Sequence, residues 1–402
     1  MNKGTIKKVV FVIIVPILLL LAQIFIIRPI LAFILSGSPE YAYRSYVWGA
    51  SDIQDYEKFP YRDILNSSPA FQFKQAALSE TFRLPQGFDD SLARTGTTAF
   101  LIIRDDKILY EKYFNGFARD SWFTSFSVAK SFDSALMGIA ISEGLIGSVD
   151  DPVIKYIPEL SGRGLDELTI RNLLKMDCGV SYHESEFLDI LGFQSDDSKT
   201  YYMPDLRKLV LTIKPSEDAL GSCFHYNNYY PILEGMILER STGMSVSQYL
   251  QERIWKKLGM EYSATWSINQ AGDGLEKMES GLNARAIDYA KFGRLYLNKG
   301  NWNGIQVVPE AWVVESTAPD PNDNRPQIGE VQLPKPDGYY QYHWWGTKRV
   351  NGFYDFTAVG HLGQFIFVRP DKNMIIVRLG TETDYPVNWL LEFQKIADVV
   401  KN

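Results

Sequence analysis

Residues 125–144 read SFSVAKSFDSALMGIAISEG, and two patterns run through them. Ala129, Phe132, Leu136, Ile139 and Ala140 recur at helical spacing as one apolar stripe, which Gly144 stops. Ser127 and Lys130, at i and i+3, open the same helix and share a face. A serine hydroxyl is a poor nucleophile until a neighbour takes its proton, and a lysine one turn away is placed to do so. A helix N-terminus also offers N–H groups and positive potential to a developing oxyanion. Taken alone, a Ser-x-x-Lys tetrad is equally a helix-opening serine beside a surface lysine.

Upstream, Thr97–Arg104 alternates and ends at Asp105-Asp106, after which Ile108–Phe114 resumes, a pattern that predicts a β-hairpin turned at the two aspartates. Far downstream, Tyr340–Trp345, Phe353–Val359, Phe365–Val368 and Met374–Leu379 are short β-rich runs. Val387–Val400 then has helical periodicity and is expected to pack on their sheet. Between about 125 and 300 the pattern is mostly helical, with segments at Ser127–Glu143, Thr169–Asp177, Tyr229–Ser241 and Asn283–Leu297. Strands at both ends around a helical middle predict an α+β fold. Its antiparallel sheet is built from N- and C-terminal segments, flanked by helices, with a large mostly helical insertion and a cleft between the two parts.

The 402-residue chain is 46% hydrophobic with 23 Tyr, 23 Phe and 9 Trp, which excludes a disordered or fibrous chain and suffices for a large core. Residues 36–402 carry 37 basic and 48 acidic side chains, a net of −11, so nucleic acid is an unfavourable partner. Two cysteines cannot build a four-thiolate zinc site, and none of the four histidines lies in an H-E-x-x-H pattern, so no metal or cofactor is expected. There is no G-x-S-x-G elbow, no phosphate-binding G-x-x-x-x-G-K-[ST] loop and no internal repeat.

Residues 1–35 read as an N-terminal membrane anchor. Val9 to Ile27 is apolar apart from Gln23, with Pro16 inside it, and as a helix it would span about 28 Å. Lys3, Lys7 and Lys8 precede it, which places the N-terminus in the cytoplasm and the remainder of the chain outside. The alternative is a cleaved signal peptide and a secreted domain. Residues 36–84, with Pro39, Pro60 and Pro69, read as a tether and lead-in, and 85–402 as the catalytic domain.

Two further motifs succeed Ser127 and Lys130 in order: Tyr226-Asn227-Asn228, and, on a strand near the C-terminus, His361-Leu362-Gly363 with Gln364 next to it. With Glu143-Gly144, Asp150-Asp151-Pro152, Tyr156-Ile157-Pro158 and Thr169–Leu174, they resemble the serine β-lactamase-related superfamily over about residues 85–400. The likeness is greatest to the branch of class C β-lactamases, D-Ala-D-Ala peptidases and esterases. The tract Ser280-Gly281-Leu282, Asp288-Tyr289-Ala290, Phe292-Gly293 and Trp302-Asn303-Gly304 is similar, more narrowly, to 6-aminohexanoate-dimer hydrolase-like members, which act on amides and esters lacking a β-lactam ring.

The resemblance implies a β-lactamase/transpeptidase-like fold and assigns roles. Ser127 would be the acylated nucleophile, with Lys130 and Tyr226 sharing general base and acid work, since a nearby ammonium favours a phenolate. Asn228 would hold Lys130 or a substrate amide. The backbone N–H groups of Ser127 and Gln364 would form the oxyanion hole, so the side chain at Gln364 would matter less than its strand position. The residues alone leave Tyr226 open as a core aromatic and Asn228 as a helix cap. His361 and Leu362 replace the lysine and hydroxyl of the K-T-G version, and a leucine cannot donate to a β-lactam or peptide carboxylate, which counts against efficient β-lactam hydrolysis. Cys178, before Gly179, and Cys223 flank this site, and in an exported domain they either form a disulfide or remain two free thiols. The acidic loop His183–Thr200 either lines the cleft or is simply solvated; His183, His225 and His343 read as structural.

Together these features predict a membrane-anchored, extracytoplasmic serine hydrolase acting on a small-molecule amide or ester. A D,D-peptidase or β-lactamase is the alternative with the same mechanism, and a catalytically silent module binding cell-wall peptides or a protein partner is the alternative from another class.

Overall fold

The computed structural model describes residues 37–77, 87–184, 195–329, 337–381 and 387–400, with a few isolated residues outside those spans. The run Val9–Ile27 lies outside them apart from Val15–Ile17 and Ile26. Among the described residues no helix is long and apolar enough to cross a membrane.

The chain divides into two compact units, residues 1–51 with 183–205 and residues 52–182 with 206–402. The first contains the helices Pro39–Val47 and Asp196–Tyr202, capped by the hydroxyls of Ser38 and Ser195. Tyr41 is buried in it and its hydroxyl donates to Ser198 Oγ at 3.0 Å.

The second unit is built on an eight-stranded sheet. Its order is Gly338–Gln341, Trp344–Lys348, Tyr354–Gly360, Gln364–Arg369, Met374–Gly380, Thr97–Arg104, Lys107–Tyr113 and Lys74–Gln75. All neighbours are antiparallel except the last pair. The junction of Met374–Gly380 with Thr97–Arg104 joins the two ends of the unit, as the strand pattern predicts. The expected hairpin turns at Asp105 and Asp106, both in left-handed backbone. Tyr340–Trp345, expected as one strand, is instead two strands joined by a turn, because Tyr342 and His343 take φ of 39° and 66°.

Side chains alternate across this sheet. Phe365, Phe367 and Ile376 face the C-terminal helix Trp389–Val399, whose Phe393 is fully buried among them, worth about 1.5–3 kcal/mol for that one side chain. On the other face the helix Ala286–Leu297 comes close at Gly293, where a Cβ would stand 2.9 Å from Ile366 and Ile375. Phe292 of that helix stacks on Phe132 of the helix Val128–Ser142, with ring centroids 3.6 Å apart.

The middle of the chain is not only helical. Tyr61–Ile64, Ala264–Ser267, Leu282–Ala284 and Phe123–Thr124 form a second, four-stranded sheet, in that order. Asn283, expected to open a helix, belongs to this sheet, and the helix begins at Ala286. These strands are too short to show an alternating pattern, and the lead-in supplies one of them.

Candidate active site

Ser127 is delivered by the smaller sheet. Phe123–Thr124 pairs with Asn283–Ala284, and Ser125 N donates to Leu282 O at 2.8 Å. The backbone then turns at Phe126, whose φ of 46° lies in the left-handed region that a bulky residue adopts only when its surroundings enforce it. Ser127 comes next as the N-cap residue of Val128–Ser142, yet its side chain makes no capping bond. Its Oγ instead accepts a hydrogen bond from Lys130 Nζ at 2.8 Å.

Lys130 is only 1% exposed, and a buried amino group requires partners. Its Nζ also donates to the backbone oxygen of Glu279 at 2.9 Å and stands 5.0 Å from the ring centroid of Tyr226. Glu279 carries no motif signal because it contributes a carbonyl, which any residue has. Its carboxylate pairs with Lys277 at 2.6 Å, both side chains buried, and accepts from Ser280 Oγ at 2.9 Å. Tyr226 is buried against Tyr340, at 6.1 Å and nearly perpendicular, and against Trp345 at 5.8 Å. Asn228 occupies the N-cap position of Tyr229–Thr242, but its side chain makes no capping bond.

The third motif lies on a turn, not on a strand. Tyr354–Gly360 ends before His361 and Gln364–Arg369 begins after Gly363. Leu362 and Gly363 have φ of 59° and 78°, which no strand holds. Arg378, fully buried on the adjacent strand, donates to Gly363 O at 2.6 Å and to Thr95 O at 2.8 Å, fixing the turn from behind. The side chain of Gln364, expected to matter less than its backbone, is itself a clamp: Nε2 donates to His361 O at 3.0 Å and to Gly380 O at 2.7 Å. The turn reaches the serine through Gly360. A Cβ there would collide with Ser125 O and stand 3.3 Å from Ser127 N. The exposed His361 ring meets Phe126 edge-on at 5.3 Å.

Cys178 and Cys223 are joined by a disulfide with Cα atoms 5.3 Å apart. It ties the segment leading to Tyr226 to the segment after the helix Ile170–Leu174. Of the acidic loop, Glu186 and Asp189 lie outside the described residues. Asp196 is engaged within its own unit by Lys199 at 2.8 Å and by the His183 N–H at 2.8 Å.

The structure thus brings Ser127, Lys130 and Tyr226 together, with the His361–Gln364 turn beside the Ser127 amide. A serine hydroxyl within hydrogen-bond reach of a buried lysine is an arrangement a serine hydrolase can use. Residues 86–401 match the Beta-lactamase family, and the chain belongs to it. It is 29% identical over 309 residues to the 6-aminohexanoate-dimer hydrolase of Paenarthrobacter ureafaciens, covering 75% of this chain and 76% of that one. Its fold is similar to that of a Bacillus anthracis protein proposed to be a 6-aminohexanoate-dimer hydrolase, with a TM-score of 0.72 and 24% identity over 86% of this chain and 93% of the other. It is also similar to a class C beta-lactamase, with a TM-score of 0.56 and 16% identity over 78% and 94% of the two chains.

Proposed function

We propose that this serine hydrolase cleaves a small-molecule amide or ester through a covalent acyl-enzyme on Ser127, in a domain held outside the cytoplasm by residues 9–27. The reading rests above all on the 2.8 Å contact between Lys130 Nζ and Ser127 Oγ. With the amine neutral, that contact carries the hydroxyl proton to nitrogen as Oγ attacks the carbonyl carbon. The oxyanion is taken up by the N–H groups of Ser127 and Gln364. The proton passes to the departing amine or alcohol, with Tyr226 sharing the transfer, and water then attacks the ester on Ser127 while the same groups act in reverse. Which of Lys130 and Tyr226 moves first belongs to the pair. An amide is favoured by the similarity to a 6-aminohexanoate-dimer hydrolase. Leu362, without a hydroxyl, disfavours β-lactams and peptide carboxylates.

Intact-mass spectrometry over a panel of esters, amides and lactams tests nucleophile and substrate class together. Wild type is expected to gain the acyl mass with short esters and amides, Ser127→Ala to gain none, and nitrocefin to turn over poorly. Efficient nitrocefin turnover would reassign the protein as a β-lactamase, and equal labelling of wild type and Ser127→Ala would leave a silent binding module.

A further inference from the structure

Behind the proposed catalytic groups lies a set of ionisable side chains that take no part in the acylation and deacylation steps. Asp133 stands one turn beyond Lys130 on Val128–Ser142, Glu234 lies on Tyr229–Thr242, and His343 lies on the turn before Trp344–Lys348. Asp133 and Glu234 have no exposure and His343 has 2%. One ligand atom from each lies within 4.8 Å of the others. His343 Nε2 is 2.6 Å from Glu234 Oε2, and its Nδ1 is 3.1 Å from the Tyr340 hydroxyl. Ser131 Oγ holds the turn by donating to His343 O at 2.8 Å.

Neither oxygen of Asp133 meets an N–H or hydroxyl donor. A buried carboxylate without donors is prohibitively costly, and two carboxyls this close cannot both ionise. A proton on each removes both difficulties, with the Asp133 carboxyl donating to Glu234 and the Glu234 carboxyl donating to His343 Nε2. The charged and titratable groups facing Glu234 are Asp133 and Lys130 from the nucleophile helix, His343 from the turn and Tyr340 from the strand before it, with Tyr226 beyond the Tyr340 ring. Burial keeps His343 neutral, pulling it down to about 3, so it cannot supply a compensating charge. A neutral imidazole that accepts at Nε2 from the Glu234 carboxyl carries its hydrogen on Nδ1 and donates to Tyr340. That chain of contacts ends on the ring against which Tyr226 rests.

We propose that Asp133, Glu234 and His343 form a hydrogen-bonded, uncharged cluster, with both carboxyls protonated, that fixes Lys130 and Tyr226 in their working positions, making all three positioning residues for acyl transfer. The cluster stitches the nucleophile helix, the helix just after Tyr226 and the turn carrying His343 into one rigid seat. Left ionised, it would bind the Lys130 ammonium and hold its proton. This inference rests on Ser127 being the nucleophile, and its test separates the two.

Infrared spectra of wild type at neutral pH are expected to contain a protonated-carboxyl C=O band that weakens in Glu234→Gln and in Asp133→Asn. Both substitutions keep the side-chain shape. Each is expected to lower kcat by about tenfold to a hundredfold while leaving KM within about twofold, since misplacement of catalytic groups, not loss of substrate contacts, is the defect. Glu234→Ala is expected to lose more than Glu234→Gln. A wild type without the band, a stoichiometric divalent cation found by elemental analysis, or variants with wild-type kcat would each overturn the proposal. Should wild type show the band yet never acylate, the protonated carboxyls stand and their catalytic purpose is refuted together with the reading of Ser127.

Discussion

Gly360 has an ordinary extended backbone, φ −131° and ψ 155°, so no conformational demand requires a glycine there. The demand is space, because the strand end passes against Ser125 O and the Ser127 amide. Gly360→Ala must push the two segments apart at the site where the oxyanion is proposed to sit. Displacements of about an ångström there cost on the order of a hundredfold in rate, so kcat is expected to fall by about that factor while the unfolding midpoint moves little. Activity within about twofold of wild type would place the oxyanion elsewhere. No local pattern marks this glycine. Ser127 and Lys130 are legible from chemistry and helical spacing and Tyr226 only through the family resemblance, whereas Glu279 contributes only a carbonyl and Gly360 only an absence, both visible only through space.

At the scale of elements, the buried cluster couples two helices and a turn to pH. Burial raises the Glu234 carboxyl from an ordinary 4.5 to about 8, and lowers His343 from 6.5 to about 3. Between pH 6.5 and 8 the folded chain keeps a Glu234 proton that the unfolded chain has released, so stability falls as pH rises through that window. Below pH 6.5 the unfolded chain protonates His343 and the folded chain does not, which favours unfolding. Down to about 4.5 Glu234 opposes that effect. Thermal unfolding of wild type is therefore expected to drop in midpoint from pH 6.5 to 8, with a shallower drop in Glu234→Gln. Identical slopes would mean that Glu234 does not titrate there. Element by element, the end strands, the 105–106 hairpin turn and the C-terminal helix are legible from periodicity. The smaller sheet is not, because its strands of two to four residues carry no period. The third motif reads as strand because a turn made by Leu362 in left-handed backbone has no turn-forming residue at that position to announce it.

Over the whole molecule, the antiparallel sheet joining both ends of the catalytic unit was legible in the order of strand-rich and helix-rich tracts, since a sheet closed by sequence-distant strands leaves that order behind. The division that groups residues 183–205 with the first 51 was not, since it depends on which helices meet. The proposed exported location belongs to this scale too, and the Cys178–Cys223 bond bears on it. Such bonds persist in oxidising surroundings and are reduced in most cytosols. The proposed export therefore predicts that the two sulfurs stay joined in the mature chain. Alkylation of denatured, unreduced protein from the membrane fraction is expected to find no reactive thiol, and two there would contradict export. If the domain is exported as proposed, a population stranded before translocation would lack the covalent brace three residues ahead of Tyr226 and would also hold its phenol least firmly.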